Sequence, residues 1–469
     1  MPERASLMGL ADYFALDEHD TDVRTEVLAG VTTFFAMSYI VLVNPATLGQ
    51  AISIPGYTGD QVQQMLAVVT IISAFVATTV MALYANRPFA QAPGLGLNAF
   101  FAYTVVIGLG IPWQVALAAV FVEGIIFILL TAAGARKAII RAFPEPVKLA
   151  VGAGIGGFLA LIGLQEMGVV AADQATMVTL GQIATDPAAT LAVAGLFFTL
   201  ALYARGVPGS IVVGILGTTV AAYVIEWAGV VAPGTLTTTL TGAQYDITPL
   251  AGAFVDGLVG APAEGIDMFA FALIVFTFFF VDFFDTAGTL VGVGQVAGFL
   301  DEDGNFPDID KPLMADAIGT TIGSMLGTST VTTYIESATG VEEGGRTGLT
   351  ALVVALLFLA SLAVVPLAAI VPLYASHIAL VVVGVIMLAN VTDVAWDDTT
   401  YAIPAGLTVF MMPFTYNIGY GIAAGIVSYP VVKVAVGEYD DVSAGQWLLA
   451  LAFVVYFYVR TSGALAAAV

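Results

Sequence analysis

Residues 268–298 read MFAFALIVFTFFFVDFFDTAGTLVGVGQVAG, an apolar run whose only charged residues are Asp282 and Asp285. The run exceeds the ~20 residues a helix needs to cross a bilayer. Its apolar residues are continuous rather than alternating, which selects a helix over a barrel strand. Lipid offers no partner for free backbone groups, so a spanning segment must satisfy its own. The same pattern recurs at 27–50, 64–85, 97–109, 113–134, 147–165, 190–204, 208–229, 313–327, 334–342, 347–371, 376–391, 401–417 and 418–436, with a further apolar stretch at 445–460. Only 10% of residues are charged, against about 25% in a soluble domain. The fold expected is all-α and polytopic, with about fourteen membrane segments.

Basic residues orient the segments. Arg4 and Arg24 precede the first, Arg87 follows the second, and Arg136, Lys137, Arg141 and Lys148 follow the fourth. Arg205, Lys311, Arg346 and Lys433 fall on the same side when each segment crosses once. The intervening loops, about 51–63, 166–189 and 230–267, contain no Lys or Arg. Positive charge gathers on the cytoplasmic face, so the N-terminus is expected inside the cell membrane. Arg460 is unplaced, because 445–460 reads equally as an interfacial helix or another crossing. Residues 1–24 are polar, with Glu3, Asp12, Asp17, Glu18 and Asp20, and show no cleavable signal.

The 35 acidic residues against 12 basic ones, a net charge of −23, disfavour nucleic acid as a partner. Acidic loops such as 301–303 and the group Glu438, Asp440 and Asp441 suit high salt, where self-repulsion is screened, and imply a halophilic source. With no cysteine, disulfides and thiol chemistry are excluded. His19 and His377 are too far apart in sequence to suggest a metal site; no metal or cofactor is expected, and His377 reads as structural.

Two segments are too short to span alone. Residues 91–98, QAPGLGLN, and 327–336, GTSTVTTYIE, are turn-rich or β-favouring stretches that open the third and tenth helices. Paired interrupted segments in corresponding positions mark a transport site near the midplane, where helix starts offer N–H groups to an anionic or carbonyl-bearing solute. Thr33–Ile40 (TFFAMSYI) and Thr277–Phe284 (TFFFVDFF) match in part about half the chain apart. Seven segments repeated twice place the copies in opposite orientations, so an inverted repeat is expected.

Charges inside spans are expensive and tend to be functional. Asp282 and Asp285, three residues apart, share one helix face and need either a proton or a partner there. They are candidates for proton coupling, with a hydrogen-bonded brace between helices as the competing role. Glu336 opens the tenth helix and can accept N–H groups of a heterocycle; its rival role is a cap. Tyr334 can stack on a ring. Asn98 supplies both donor and acceptor, or caps the third helix. Glu123, in the middle of 113–134, reads equally as a functional acid and as a core brace. There is no phosphate loop ending Gly-Lys-Ser/Thr, no Gly-x-Ser-x-Gly and no His-Glu-x-x-His, so neither ATP-driven transport nor an enzyme is indicated.

Several stretches resemble a known family. Thr25–Pro45 (TEVLAGVTTFFAMSYIVLVNP), Ala92–Phe101 (APGLGLNAFF), Val281–Leu290 (VDFFDTAGTL), Tyr334–Gly340 (YIESATG) and Gly344–Leu349 (GGRTGL) look like the AzgA-like purine permeases of the nucleobase–cation (nucleobase/ascorbate) symporters. The likeness covers about residues 20–436 in order. It implies fourteen segments in two inverted seven-segment repeats. After a cytoplasmic segment at 1–24, a core domain would comprise 25–134 and 268–371, and a gate domain 135–267 and 372–436; an acidic loop and apolar helix would close the chain at 437–469. It implies proton-coupled uptake of adenine, guanine and hypoxanthine by alternating access. Asp282 and Glu336 would bind the base, Asn98, Tyr334, Ile335 and Ser38 would line the pocket, and Thr286 would lie nearby. Asp282, Asp285, Glu336 and Glu123 would carry the proton. Uracil- and xanthine-type relatives often place a His where this chain has Thr286, which removes a His relay and shifts the load to the carboxylates. Relatives can also dimerise through the gate. The alternatives are a xanthine, uracil or other anion carrier of the same fold, sodium in place of the proton, and, outside transport, a channel or membrane enzyme.

Overall fold

The computed structural model describes residue 9 and residues 11–134, 143–237, 244–263, 268–301 and 306–461. Glu3, Arg4, Arg136, Lys137, Arg141, Glu302 and Asp303 lie outside the described residues. The first half of the chain forms α1 (Val23–Leu48), α2 (Gly59–Ala85), β1 (Gln91–Pro93), α3 (Leu95–Gly108), α4 (Trp113–Ala132) and α5 (Glu145–Glu166). A hairpin of β2 (Val170–Asp173) and β3 (Met177–Leu180) follows, then α6 (Pro187–Ala204), α7 (Ser210–Trp227) and the short α8 (Ala253–Ala263). The second half runs α9 (Met268–Ala297), α10 (Asp310–Leu326), β4 (Val331–Thr333), α11 (Ser337–Glu342), α12 (Gly348–Pro366), α13 (Leu373–Asp393), α14 (Thr399–Thr415), α15 (Ile418–Val436) and α16 (Ala444–Thr461).

Among the described residues, ten helices are long and apolar enough to cross a membrane: α1, α2, α4, α5, α6, α7, α9, α12, α13 and α15. The other expected segments form helices that fall short. At ~1.5 Å per residue α3 rises roughly 21 Å, less than the ~30 Å hydrocarbon core; α10 and α14 stop at 17 residues and α11 at six. Helix starts carry the expected chemistry. The Asp22 side chain accepts from Thr25 N at the head of α1, and Thr58 with Gln61 forms a reciprocal capping box at α2.

Two groups of helices form. In one, α1, α2, α4, α9, α10 and α12 pack on one another; in the other, α5, α6, α7, α13, α14 and α15 do. Small residues permit this closeness, as membrane helix interfaces require. A Cβ on Gly124 of α4 would sit 2.5 Å from Thr321 Oγ1 of α10. Gly156 of α5 and Gly384 of α13 face each other so tightly that a Cβ on either would lie within 2.6 Å of the other's carbonyl oxygen.

The β-favouring stretches before the two short helices meet as one antiparallel pair, with Gln91 opposite Thr333, Ala92 opposite Thr332 and Pro93 opposite Val331. Every residue of both strands is buried. Extended backbone at membrane depth needs partners inside the protein, and each strand supplies the other's. The pairing continues past the strand ends, where Gly94 N donates to Thr330 O and Tyr334 N to Ala90 O, both at 3.0 Å.

Two elements lie in stretches read as plain loops. The β2–β3 hairpin is turned by Asp173, whose carboxylate accepts from Ala175 N and Thr176 N at 2.8 Å. Both hydrogen bonds hold that carboxyl below the usual aspartate range. The amphipathic α8 packs on α4. Neither carries a long apolar run, the signal by which the membrane segments are read.

Candidate functional site

A cavity of about 380 Å³ lies between the two helix groups, against the β1–β4 pair. That volume falls in the ~300–1,000 Å³ range of small-molecule sites. One wall is built by Tyr39 of α1, Asp285 of α9, Thr332 of β4 and the Tyr334-Ile335-Glu336 turn leading into α11. The opposite wall comes from α5 and α13, with Lys148, Gly152, Met387, Asn390 and Asp393. Asn390 and Asp393 are exposed, as are Gly288 and Gly292 further along α9, so the cavity opens toward the start of α5 and the end of α13.

Local structure fixes the polar groups. The Tyr334 hydroxyl donates to the Pro93 carbonyl at 2.6 Å, bracing the tyrosine across the strand pair. The Tyr39 hydroxyl donates to Glu336 Oε1 at 2.6 Å, a charge-assisted geometry. An ionised carboxylate accepts at two oxygens with about four lone-pair sites, so Glu336 keeps Oε2 and part of Oε1 for a ligand. Asp285 lies near enough to Glu336 for the two to repel. Together they make one acidic corner, lined by two aromatic rings, facing Lys148 across the cavity. Lys148 itself pairs with Glu145. Such a corner can accept N–H groups of a flat, hydrogen-bonding solute while tyrosine contacts its ring.

Of the sequence candidates, Glu336, Tyr334, Ile335 and Asp285 line the cavity; Asp282, Asn98, Ser38, Thr286 and Glu123 do not. The Asp282 placement has a geometric reason. Three residues turn a helix by about 300°, so Asp282 and Asp285 point roughly 60° apart, which here is the difference between the cavity and the interior. Asp282 is fully buried, with the Thr320 hydroxyl 3.2 Å from its Oδ2. Asn98, also buried, donates from Nδ2 to Pro93 O at 3.4 Å and accepts from the Ser329 hydroxyl. Its amide is thus committed to protein groups. Thr286 is hydrogen-bonded to Thr332 at 2.6 Å, directly behind the cavity wall. The Ser38 hydroxyl turns back to Phe35 O. Glu123 is fully buried on α4.

Residues not singled out in the sequence complete the surroundings. Tyr39 lies inside the Thr25–Pro45 motif but carries no charge to draw notice. Asp316 of α10 carries the same signal as Glu123, an acid in an apolar segment. It is buried and accepts from Gln91 Nε2 at 3.0 Å and Thr333 Oγ1 at 2.9 Å. At the far ends of α5 and α13 the cavity is absent and the helix groups are joined. The Tyr103 hydroxyl of α3 meets His377 Nε2 at 3.1 Å and Thr104 Oγ1 donates to Tyr416 O at 2.9 Å, while within the second group the Tyr416 hydroxyl donates to Gln165 of α5 at 3.0 Å.

Comparison with known proteins agrees with a carrier. The family model described as Permease family (Xan_ur_permease) matches residues 24–424. The adenine permease AdeP of Escherichia coli is 40% identical over 94% of both chains. The guanine/hypoxanthine permease PbuG of Bacillus subtilis is 39% identical over 95% of this chain and 98% of its own. Among solved structures, the transmembrane domain of the cyanobacterial bicarbonate transporter BicA superposes with a TM-score of 0.58 at 16% identity, covering 86% of this chain and 97% of that one. Murine Slc26a9, an anion transporter described in its inward-facing state, gives 0.59 at 12%, covering 88% and 68%. At such identities these two show the fold alone. A family match over most of the length, full-length permease relatives near 40% identity and ten bilayer-length helices lead to one conclusion: this chain is a multi-pass membrane protein belonging to the Permease family, with transporters rather than enzymes as its kin.

Proposed function

We propose that the protein imports purine nucleobases across the cell membrane by proton symport, through alternating access. The observation that carries this reading is the acidic, tyrosine-lined cavity held between two helix groups at a pair of interrupted helices. Relatives named adenine and guanine/hypoxanthine permeases favour a purine as the solute. A purine presents ring and exocyclic N–H groups that suit Glu336 and Asp285, with Tyr334 and Ile335 against its faces. We assign Glu336 and Asp285 as the base-contacting acids. Asp282, Asn98 and Thr286 form the layer behind them, and Ser38 holds the α1 bend next to Tyr39.

The architecture is read as fourteen crossings in two inverted repeats, the short α3, α10, α11 and α14 completing the count with extended chain. The group containing α1–α4 and α9–α12 is the core that carries the base. The group of α5–α7 and α13–α15 is the gate, through which two copies would pair. With the N-terminus cytoplasmic, the cavity mouth at Lys148, Asn390 and Asp393 faces the cytoplasm, and the chain stands in an inward-open state, the state named for Slc26a9.

Uptake of labelled adenine, guanine and hypoxanthine into vesicles, with pH and sodium gradients imposed separately, tests this. A saturable purine uptake driven by the pH gradient is expected, and Glu336→Gln should reduce it about 10- to 100-fold, the weight of losing a charge-assisted contact of roughly 1.5–3 kcal/mol. Wild-type uptake by that variant would overturn the site, and accumulation on a sodium gradient alone would overturn the coupling.

A further inference from the structure

The last helix, α16, stands outside the two groups and contributes nothing to the cavity wall. Resting on the alternating-access reading above, we propose that α16 is a further membrane crossing fixed to the gate, and that with Phe143 it forms the guide along which α9 of the core moves.

α16 has 18 residues, within the ~17–25 that cross a bilayer as a helix. From Val442 to Val459 the chain holds no charged residue. A helix lying in the interface carries a strongly charged or polar face, and the sequence of α16 offers none before Arg460. Its exposed side chains include Leu448, Leu451, Val454, Val455 and Tyr458, which suit acyl chains rather than water. The start is held by a reciprocal cap, with Ser443 N donating to Gln446 Oε1 at 2.9 Å and Gln446 N to Ser443 Oγ at 3.3 Å. The direction of the helix follows from its contacts with α15. Lys433, near the end of α15, pairs with Glu438 and Asp441 in the turn between the two helices. At the other end, the Phe457 ring stands 5.8 Å from that of Tyr420, near the start of α15. The two helices are thus antiparallel, and α16 returns toward the face from which α15, itself of bilayer length, sets out.

The same helix touches the core. Gln446, Ala450 and Phe453 are buried and Phe457 is half-buried, a stripe at the three- and four-residue steps of one helix face. α16 packs along α15, and from this stripe Phe453 also reaches α9, where its ring lies 5.6 Å from that of Phe276 at an interplanar angle of 66°. Edge-to-face contact of this kind is favoured by the ring quadrupoles. α16 is therefore held to the gate by ion pairs at the turn and by packing along its length, and it meets the core through an apolar ring contact that can slide.

Phe276 begins a ridge. Phe276, Phe280 and Phe284 follow at four-residue steps along one side of α9, with ring centroids 6.1 Å and 4.7 Å apart. Phe143, just ahead of α5 of the gate, packs on all three at 6.1, 4.4 and 5.3 Å. Phe284 in turn lines the cavity. A continuous run of rings thus leads from α16 to the site, with core and gate residues meeting along it through apolar rings. The ridge is held by Phe143 and by Phe453, so a displacement of α9 relative to the gate must carry it past both. A surface of rings without directional bonds permits that movement while keeping the seam closed to lipid.

The test uses the full-length chain, which contains no cysteine, so every introduced thiol is a defined reporter. Ser443→Cys and Thr461→Cys, made singly, are labelled in vesicles with a membrane-impermeant thiol reagent. Labelling from opposite sides is expected; labelling of both from one side would make α16 interfacial and overturn the crossing. Two double variants are then bridged by oxidation or a short thiol cross-linker, and uptake of labelled hypoxanthine is measured before bridging, after it and after reduction. Phe276→Cys with Phe453→Cys ties α16 to the core, and its bridge should abolish uptake, with recovery on reduction. Tyr420→Cys with Phe457→Cys ties α16 to the gate, and its bridge should leave uptake as it was. Full uptake with the first bridge in place would overturn the guide, and arrest by the second would overturn the assignment of α16 to the gate. A pair that transports but cannot be bridged would overturn the placement of the helix. If the wild type itself takes up no purine, the transport reading falls and the guide with it, while the sides of labelling still decide whether α16 crosses.

Discussion

The 2.6 Å bond from Tyr39 to Glu336 sets the direction of the acid that faces the cavity. Hydrogen bonds to charged groups contribute roughly 1.5–3 kcal/mol, so Tyr39→Phe should raise the half-saturation concentration for purine about tenfold or more, with far less effect on maximal rate; a saturation curve of uptake in the variant reads this directly. Asp285→Asn should weaken uptake more than Ser38→Ala, because only the former side chain lines the cavity. Equal losses in those two variants, measured side by side, would contradict the assignment of Asp285. Glu336 was legible in the sequence because an acid in an apolar stretch is too costly to be idle. Tyr39 was not, since a tyrosine among phenylalanines carries no such penalty. The choice between Asp282 and Asp285 was not legible either: helical spacing puts both near one face, and only the position of α10 and β4 decides which of them meets the cavity and which the interior. Asp316 satisfied the same criterion as Glu123 and stands beside it, although its run, DKPLMADAIGTT, is polar enough to hide the cost.

At the scale of elements, helix contact depends on missing side chains. Gly124 against Thr321 and Gly156 against Gly384 leave no room for a Cβ. Overpacking a tight contact costs about 1–3 kcal/mol, so Gly384→Val should lower the unfolding midpoint of the purified protein and reduce its yield in membranes. Gly437→Ala, beyond the end of α15 where a Cβ meets open space but φ is +87°, should cost less, about 1 kcal/mol from backbone strain alone. Thermal melts of the two variants in one detergent compare them. Long helices were readable because their apolar runs meet the bilayer's length. The strand pair was readable only as two β-favouring stretches; that they pair with each other, 240 residues apart in register, is a tertiary fact. The β2–β3 hairpin and α8 escaped because they lie outside the long apolar runs.

For the whole molecule, the reading is a carrier open at one end. The chain contains no cysteine, so Asn390→Cys provides a single reporter at the cavity mouth. A membrane-impermeant thiol reagent applied from the cytoplasmic side should label it, and saturating purine should slow the labelling; protection would be seen as a fall in modification rate. Reaction only from the outside would reverse the orientation inferred from the basic residues. The acidic balance was visible at this scale from composition, whereas a division into two groups was only what the family resemblance implied. The place where the groups touch was not visible.

That place has a mechanical meaning. Tyr103 with His377 and Thr104 with Tyr416 are the fastening opposite the mouth, and each is an ordinary neutral bond worth about 0.5–1.5 kcal/mol net. Two of them bias the resting molecule toward its present posture by roughly 1–3 kcal/mol, a ratio of about 5 to 150. Under the alternating-access reading proposed above, a clasp of that strength would hold the far side shut and still open by thermal motion, with no outside engine to unfasten it.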